Sequence, residues 1–475
     1  GGGGSTGVGG AGGGICLSCR TFAGTNGLIS ASGGNGSWSG GGGGGGRIAV
    51  LYEPAAQSNL NLTARPTVQF AANEGCNSGG PAGGRPGTIY FPDASILLPA
   101  LQGGQILIPG FSSWAPDRLA VSNGLAVFPD TFQLQLTNDL VITPGTAQGW
   151  PGGGGIELTN GNLAAGSNVI VGGRLTFFGA PADASSVTVG NHLLMTNGGT
   201  FRLYSGTTNG GPSGHGVLAS IGGDIRVSAG AWIIPVSDPT NGGSAEFQMR
   251  NLVLLSTNGG FDASALGYSG GTTLSTPGWG PGGGGFVSGG GYGGTGGDTA
   301  GGSTYGSSNA PADPGSGGGA GSGCGGGRGA GLVRLLVSDK AAVDGRIRAD
   351  GGYAGWSTGG GGSGGGIYLI CRTLAGTNGL LSASGGTGAW SGGGGGGGRI
   401  AIWRRYDNAT TGSWSWTVSG RGNDGGGVNT GASGTVVWGQ LPAAPLVSNT
   451  APAGIGYFAA TLNGFVITTG TAPAT

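Results

Sequence analysis

Five cysteines and two histidines are the first residues to test for metal or redox chemistry in this 475-residue chain. Cys16 and Cys19 form a CxxC, a spacing used by zinc sites and dithiol centres. Residues three apart on a strand point to opposite faces, which disfavours a mutual disulfide. Buried strand thiols are the simpler expectation. Cys76 and Cys324 fall in glycine-rich loops and could pair in an oxidising compartment. His192 and His215 each stand alone among Gly and Asn. A site needing two imidazoles would have to unite these two, and solvated turn positions are expected instead.

Carboxylates offer the best catalytic alternative. Asp224, Asp238 and Asp262, with Arg226 and Arg250 nearby, could serve glycan cleavage, which uses acids flanking the scissile bond. Their contexts, GGDIRV and SDPTNGG among them, read more simply as turns in which an Asp oxygen bonds backbone. GxSxG occurs at 267–271 and 355–359, but neither site follows a strand and opens a helix as a nucleophile elbow must. Residues 293–298 fit the opening of a calcium-binding β-roll repeat once only, with Ala300 where a large apolar residue belongs. Lys340 follows an Asp rather than a glycine-rich phosphate loop. No catalytic residue, metal or cofactor is assigned, and a non-catalytic role is expected.

The elements that would position such residues are set by composition. Glycine supplies 124 of the residues, about a quarter of the chain against an ordinary ~7%. A strict Gly-X-Y period is absent, so collagen is excluded. Ile, Val, Leu and Phe occur in short runs able to bury a core, which a disordered chain lacks. Charged residues make up 8% and balance to zero. That leaves no basic footprint for nucleic acid and little repulsion against self-association. No stretch approaches the ~20 apolar residues of a membrane span. The chain starts at Gly1 without Met and reads as a mature product or an excised piece.

An internal repeat dominates. Residues 15–50, ICLSCRTFAGTNGLISASGGNGSWSGGGGGGGRIAV, align without a gap to 367–402, IYLICRTLAGTNGLLSASGGTGAWSGGGGGGGRIAI, at an offset of 352. The match continues weakly, with Gly87-Thr88-Ile89-Tyr90 facing Gly434-Thr435-Val436-Val437. Between the copies, segments such as 168–180, 186–206, 217–238 and 246–266 each hold two or three β-branched or aromatic runs separated by Gly or Asn-Gly. Units of ~20–30 residues with two or three strands predict a parallel β-helix. An antiparallel meander is the rival, since Asn-Gly also marks hairpins. No 3.6-residue period predicts a long amphipathic helix. The seven-glycine run keeps its length and its Trp-Ser and Arg-Ile-Ala flanks in both copies. That favours ordered, laterally packed polyglycine II over a flexible linker.

The fold expected is therefore all-β: a parallel β-helix or solenoid-like core, glycine-rich segments of polyglycine II, and a C-terminal β-sandwich-like strand pair. Residues 1–50 are the first glycine-rich repeat, 51–150 a β-rich connecting module and 151–268 β-helix-like coils. Residues 269–330 are a glycine-rich segment, 331–443 the second repeat, and 444–475 partial immunoglobulin- or fibronectin-like strands. Trp279, Tyr292 and Tyr305 suit lateral packing or glycan contact.

The combination of GGGGGGGRIAV, AGTNGLISASGG, GTIYFPDAS, TNGGTFRLYSG and SDPTNGG, followed by ATLNG, resembles repeat regions of giant secreted surface proteins of environmental bacteria. In these, glycine-rich β-helix-like units alternate with sandwich modules. The resemblance implies an extracellular or cell-surface location and a scaffold, adhesive or fibre role, and it transfers no catalytic residue. The function expected is a structural segment of an extracellular filament that assembles with itself head to tail. A glycan-binding adhesin repeat and a β-helix polysaccharide lyase or hydrolase are the alternatives. The residues expected to mediate packing are Trp38, Arg47, Trp390, Arg399, Tyr457, Phe458, Leu462, Phe465 and Ile467.

Overall fold

The computed structural model describes residues 7–37, 40–76, 83–107, 111–144, 154–180, 185–196, 198–207, 214–273, 275–355, 358–409, 414–417, 419, 429–442, 446–453 and 461–468. Side chains are not described at 408–409, at 416, or from 443 onward. Two long sheets run the length of the chain, and every strand pairing within them is parallel. The first has thirteen strands, from Gly14–Ser18 to Ser415–Thr417. The second has fifteen, from Ala100–Leu101 to Thr435–Gln440. This is the parallel solenoid that the spacing of apolar runs predicts. The antiparallel meander is overturned.

From Ala100–Leu101 onward each coil alternates between sheet one and sheet two; ahead of it, Leu28–Ser30 and Gln69–Ala71 form a parallel pair of their own. In the coils around 125–195 the second sheet takes two short strands, for example Gln133–Leu136 and Leu140–Ile142. From Val217–Val227 onward these fuse into one long strand, broken by a register shift between Ile221 and Asp224. The alternation of apolar residues aims one face of every strand inward. Leu175, Phe201, Ile233, Phe261, Ile347 and Leu381 stack in register on sheet one, each fully buried. Phe247, Leu335, Leu369 and Ile402 stack likewise on sheet two. Burying such a side chain contributes about 1.5–3 kcal/mol, against an ordering cost of about 1–2 kcal/mol per residue. One coil alone cannot close that gap. Stacked neighbours can, because each side chain is covered from both sides.

Asn-Gly marks coil corners rather than hairpins. Asn123 and Asn160 take the left-handed conformation, at φ 54° and 51°. The glycine that follows is needed because the coil beneath lies so close: a Cβ on Gly161 would sit 2.0 Å from the Phe132 carbonyl oxygen. A single helix, Pro54–Ala64, occurs among the described residues. It docks through a buried amide instead of an apolar stripe. Gln57 accepts from the Phe22 N–H at 2.7 Å and donates to the Phe22 carbonyl at 3.0 Å. Leu446–Ala453 and Thr461–Thr468 form a separate antiparallel pair.

Candidate functional site

In the second copy the glycine-rich segments 263–331, 349–365 and 383–398 each join a sheet-one strand to a sheet-two strand, and they stack beside one another at that corner. The run 392–398 shows the rule. The N–H groups of Gly392, Gly395 and Gly398 donate to the carbonyls of Ala389, Gly386 and Ala383. Those of Gly393 and Gly396 donate to Val287 and Gly290, and those of Gly394 and Gly397 to Asn429 and Ala432. All seven bonds lie between 2.7 and 2.9 Å. The partners recur every third residue, as a threefold extended helix requires. Around this central rod, 361–364 donate to the Gly393 and Gly396 carbonyls, and 294–297 to those of Gly397 and Gly394. Five neighbouring segments thus bond one seven-residue rod. This is a polyglycine II lattice, and all seven glycines are buried.

Glycine is obligatory here because backbones touch. A Cβ on Gly395 would lie 2.0 Å from the Gly362 oxygen, on Gly396 2.2 Å from that of Gly294, and on Gly398 2.1 Å from that of Gly365. Ordering glycine carries the largest backbone entropy cost of any residue. Hydrogen bonding toward several neighbours offsets it, and no side chain has to be fitted in.

The first copy repeats the lattice with the same register. Gly40, Gly43 and Gly46 donate to Ser37, Gly34 and Ala31, and Gly9 and Gly12 donate to Gly41 and Gly44. Each pair maps onto the second copy at the offset of 352. The flanking strands match too: Gly14 pairs with Arg47 and Arg47 with Thr88, as Gly366 pairs with Arg399 and Arg399 with Thr435. Yet the copies differ in their setting. Strands Gly14–Ser18, Arg47–Leu51 and Thr88–Tyr90 belong to sheet one, whereas Gly366–Gly376, Arg399–Ala409 and Thr435–Gln440 belong to sheet two. The unit has turned by one face between copies.

They also differ in cover. In the second copy the segment 282–305, from the long insertion between Gly260–Asp262 and Leu332–Val343, lies over the rod. Arg399 fastens it. Its guanidinium donates to the Tyr305 carbonyl at 3.0 and 2.8 Å and to the Tyr292 carbonyl at 3.3 Å, and stands 5.4 Å from the Tyr292 ring centroid. Tyr292 is fully buried and packs on Tyr305 with ring centroids 4.8 Å apart. Burial raises both phenol pKa values far above the ordinary range, and raises the Asp313 carboxyl beside them against the pull of Arg399. In the first copy Arg47 is exposed and makes no side-chain hydrogen bond among the described residues. Among the described residues, the N–H groups of Gly41 and Gly44 have no backbone partner. Gly10, Gly13 and Gly14 are exposed where Gly362, Gly365 and Gly366 are buried.

Among the other residues expected to mediate packing, Trp390 sits at a turn with φ 48° and is 71% exposed. Trp38, Tyr457 and Phe458 lie outside the described residues. Leu462, Phe465 and Ile467 fall on the strand Thr461–Thr468, whose backbone alone is described. Trp279 is half exposed.

The candidate catalytic carboxylates are not brought together. Asp224 stands on sheet two, Asp262 on sheet one, and Asp238 in the turn after Trp232–Val236. Asp224 accepts from Arg226 and Asn251, and its N–H donates to His192 Nδ1 at 2.9 Å. Burial raises the Asp224 pKa, but the bonds from Asn251 and Arg226 outweigh it and leave the group below its ordinary value. Asp238 accepts the N–H groups of Thr240 and Asn241, the turn role its sequence context suggests. Arg250 lines an open groove of about 680 Å³ beside the Asp339–Arg372 pair. His215 is buried rather than a solvated turn residue. The thiols also depart from expectation. Cys16 is exposed on the outward face of Gly14–Ser18, and Cys19 is exposed as well, while Cys371, the counterpart of Cys19, is buried and its pKa is pushed up to about 12. All five cysteines are free.

No protein-family model, curated protein or solved structure matches the chain. The geometry stands alone.

One surface could hold a sugar. On the outer face of sheet one, a groove of about 580 Å³ is lined by Glu157, Arg174, Thr200, Arg202, Phe178 and Tyr204. The Phe178 and Tyr204 rings stack with centroids 4.4 Å apart.

Proposed function

We propose that the chain is a non-catalytic structural segment of an extracellular filament, associating with further copies of itself along the solenoid axis. The observation that carries this reading is the recurrence of one glycine lattice, with the same hydrogen-bond register, at both ends of a continuous parallel solenoid. A unit so constructed extends by adding like units, and its stiffness rests on backbone bonds that need no side-chain specificity. Scarce charge, which leaves little repulsion between copies, fits an assembled scaffold. The extracellular location rests on the resemblance to giant secreted surface proteins. Negative-stain electron microscopy of the purified chain, with intact mass, is the test. Uniform filaments of chains near 45.3 kDa support the reading. Monodisperse rods at all concentrations refute it.

The groove at Phe178 and Tyr204 favours a second reading, a surface repeat that holds glycans. Stacked rings offer an apolar face to a pyranose, and Arg174, Arg202 and Glu157 offer hydrogen bonds to hydroxyls or a uronate. Retention on immobilised acidic polysaccharide, lost in Tyr204→Ala, would support it. Equal retention of the variant would remove it.

A further inference from the structure

The two ends of the solenoid are complementary, and we infer that the C-terminal edge of one copy docks on the N-terminal edge of the next in continuous parallel register. This rests on the self-association reading and specifies its interface.

Among the described residues, the outer edges of Gly14–Ser18 and Leu28–Ser30 pair with no further strand. Ile15 and Leu17 lie only partly buried against the core, whereas their counterparts Ile367 and Leu369 are fully buried. At the C-terminal end Thr435–Gln440 and Ser415–Thr417 are the last strands of their sheets. There Val436 and Trp438 are the partly buried residues. Neither edge carries the devices that usually block pairing. GICLS and TVVWGQ contain no charge and no proline.

The second copy shows what covers such an edge. Gly366–Gly376, the counterpart of Gly14–Ser18, is paired by Leu332–Val343, with Leu332 opposite Gly366 and Val333 opposite Ile367. The glycine segment ahead of Leu332 lies over the glycine segment ahead of Gly366: Gly327 donates to Gly360 and Ala330 to Ser363. Thr435–Gln440 is a strand of the same kind. It too is preceded by a glycine-containing segment, 429–434, already bonded into the lattice by Gly394 and Gly397. Continuing the ladder Gly366–Arg399–Thr435 by one step sets Thr435 opposite Gly14 of the next copy. Val436 then covers Ile15 and Trp438 covers Leu17. Residues 429–434 lie over 8–13, and Ser415–Thr417 over Leu28–Ser30. Both open columns close.

Head-to-tail contact of this kind joins two different surfaces, so each can be blocked separately. Gly10 and Gly13 are suited to the purpose. A Cβ on either meets nothing within 4 Å in the isolated chain, but the equivalent atoms on Gly362 and Gly365 would lie 1.9 Å from the Arg328 oxygen and 2.0 Å from the Gly331 oxygen. Gly10→Ala/Gly13→Ala in the full chain therefore blocks the N-terminal face without disturbing the fold. Val436→Pro removes an edge N–H from the C-terminal face, where proline is tolerated. Hydrogen exchange at 392–398 checks that each variant is folded. By sedimentation velocity, wild-type chains are expected to form open-ended oligomers. Each variant alone stays monomeric, and an equimolar mixture of the two yields a 1:1 dimer through the remaining good faces. Oligomers of Gly10→Ala/Gly13→Ala as large as wild type would overturn this interface while leaving self-association standing. A mixture that stays monomeric would overturn it as well. A monomeric wild type would refute the self-association reading itself.

Discussion

The polyglycine lattice makes a matched pair of substitutions informative. Gly396 and Gly44 occupy the same place in the two copies. An alanine methyl on Gly396 lands 2.2 Å from the Gly294 oxygen, while on Gly44 its nearest neighbour is the Arg85 oxygen at 3.8 Å. Ordinary contact begins near 3.4 Å, so in Gly396→Ala the rod and the 294–297 segment must part by about an ångström. Such overpacking costs about 1–3 kcal/mol. The parting also strains the bonds that join them, Gly294 N–H to the Gly397 carbonyl at 2.8 Å and Gly297 N–H to the Gly394 carbonyl at 2.7 Å, each contributing about 1 kcal/mol. The reduced freedom of the unfolded alanine chain returns about 0.4–1 kcal/mol. The net is a local destabilisation of about 3 kcal/mol, or roughly a hundredfold loss of protection. Gly44→Ala keeps only the favourable part and should be neutral or slightly stabilising. Hydrogen exchange by mass spectrometry over 383–398 and 31–46 reads both directly. Equal protection in the two variants would refute the claim that backbone proximity in the covered lattice is what demands glycine.

Arg399→Ala should raise exchange and proteolytic cutting within 282–305 by about ten- to a hundredfold, since charge-assisted bonds contribute about 1.5–3 kcal/mol; Arg47→Ala, lacking such bonds, should leave its surroundings unchanged. Alkylation of the native chain at pH 8 followed by peptide mapping should label Cys16 and Cys19 and spare Cys371 until denaturant is added. Acid stability should depend in part on Asp139, whose carboxylate accepts the Asn168 N–H at 2.8 Å and is held below the usual range chiefly by that bond. A lowered folded pKa gives stability that is present above the unfolded value near 3.9 and lost as pH falls through the folded one. Asp139→Asn should therefore flatten the acid limb of a stability–pH curve, and an unchanged limb would exclude the assignment.

The solenoid was legible because its core obeys a side-chain rule. Alternating runs such as TFRLY and WIIPV, separated by Gly, state which residues face inward and how long a strand lasts. Order in the glycine runs was legible only indirectly, through the equal length of 40–46 and 392–398. What the sequence did not disclose is which segments surround each rod. Those contacts are backbone to backbone and carry no side-chain signature, so the return of 282–305 over 392–398 has no pattern to read. Arg399 was picked out by position, but its difference from Arg47 follows from cover alone. The Pro54–Ala64 helix escaped notice because a buried Gln57 amide holds it and no apolar stripe announces it. Strand periodicity puts Cys16 and Cys19 on opposite faces: Cys16 points outward between Ile15 and Leu17, while Cys19 is exposed where its counterpart Cys371 is buried.

The exchange of sheets between the two copies has a mechanical consequence. Strands that belong to sheet one near residue 14 have counterparts in sheet two near residue 366, so the repeat advances along the axis and rotates together. A filament extended by this rule winds its glycine plates around the shaft in a slow spiral. Plates stacked along one flank would leave a ribbon that bends easily about one direction. Wound in this way, they would act like the crossed plies of a laminate and resist bending about every axis, from a sequence in which 124 of 475 residues are glycine.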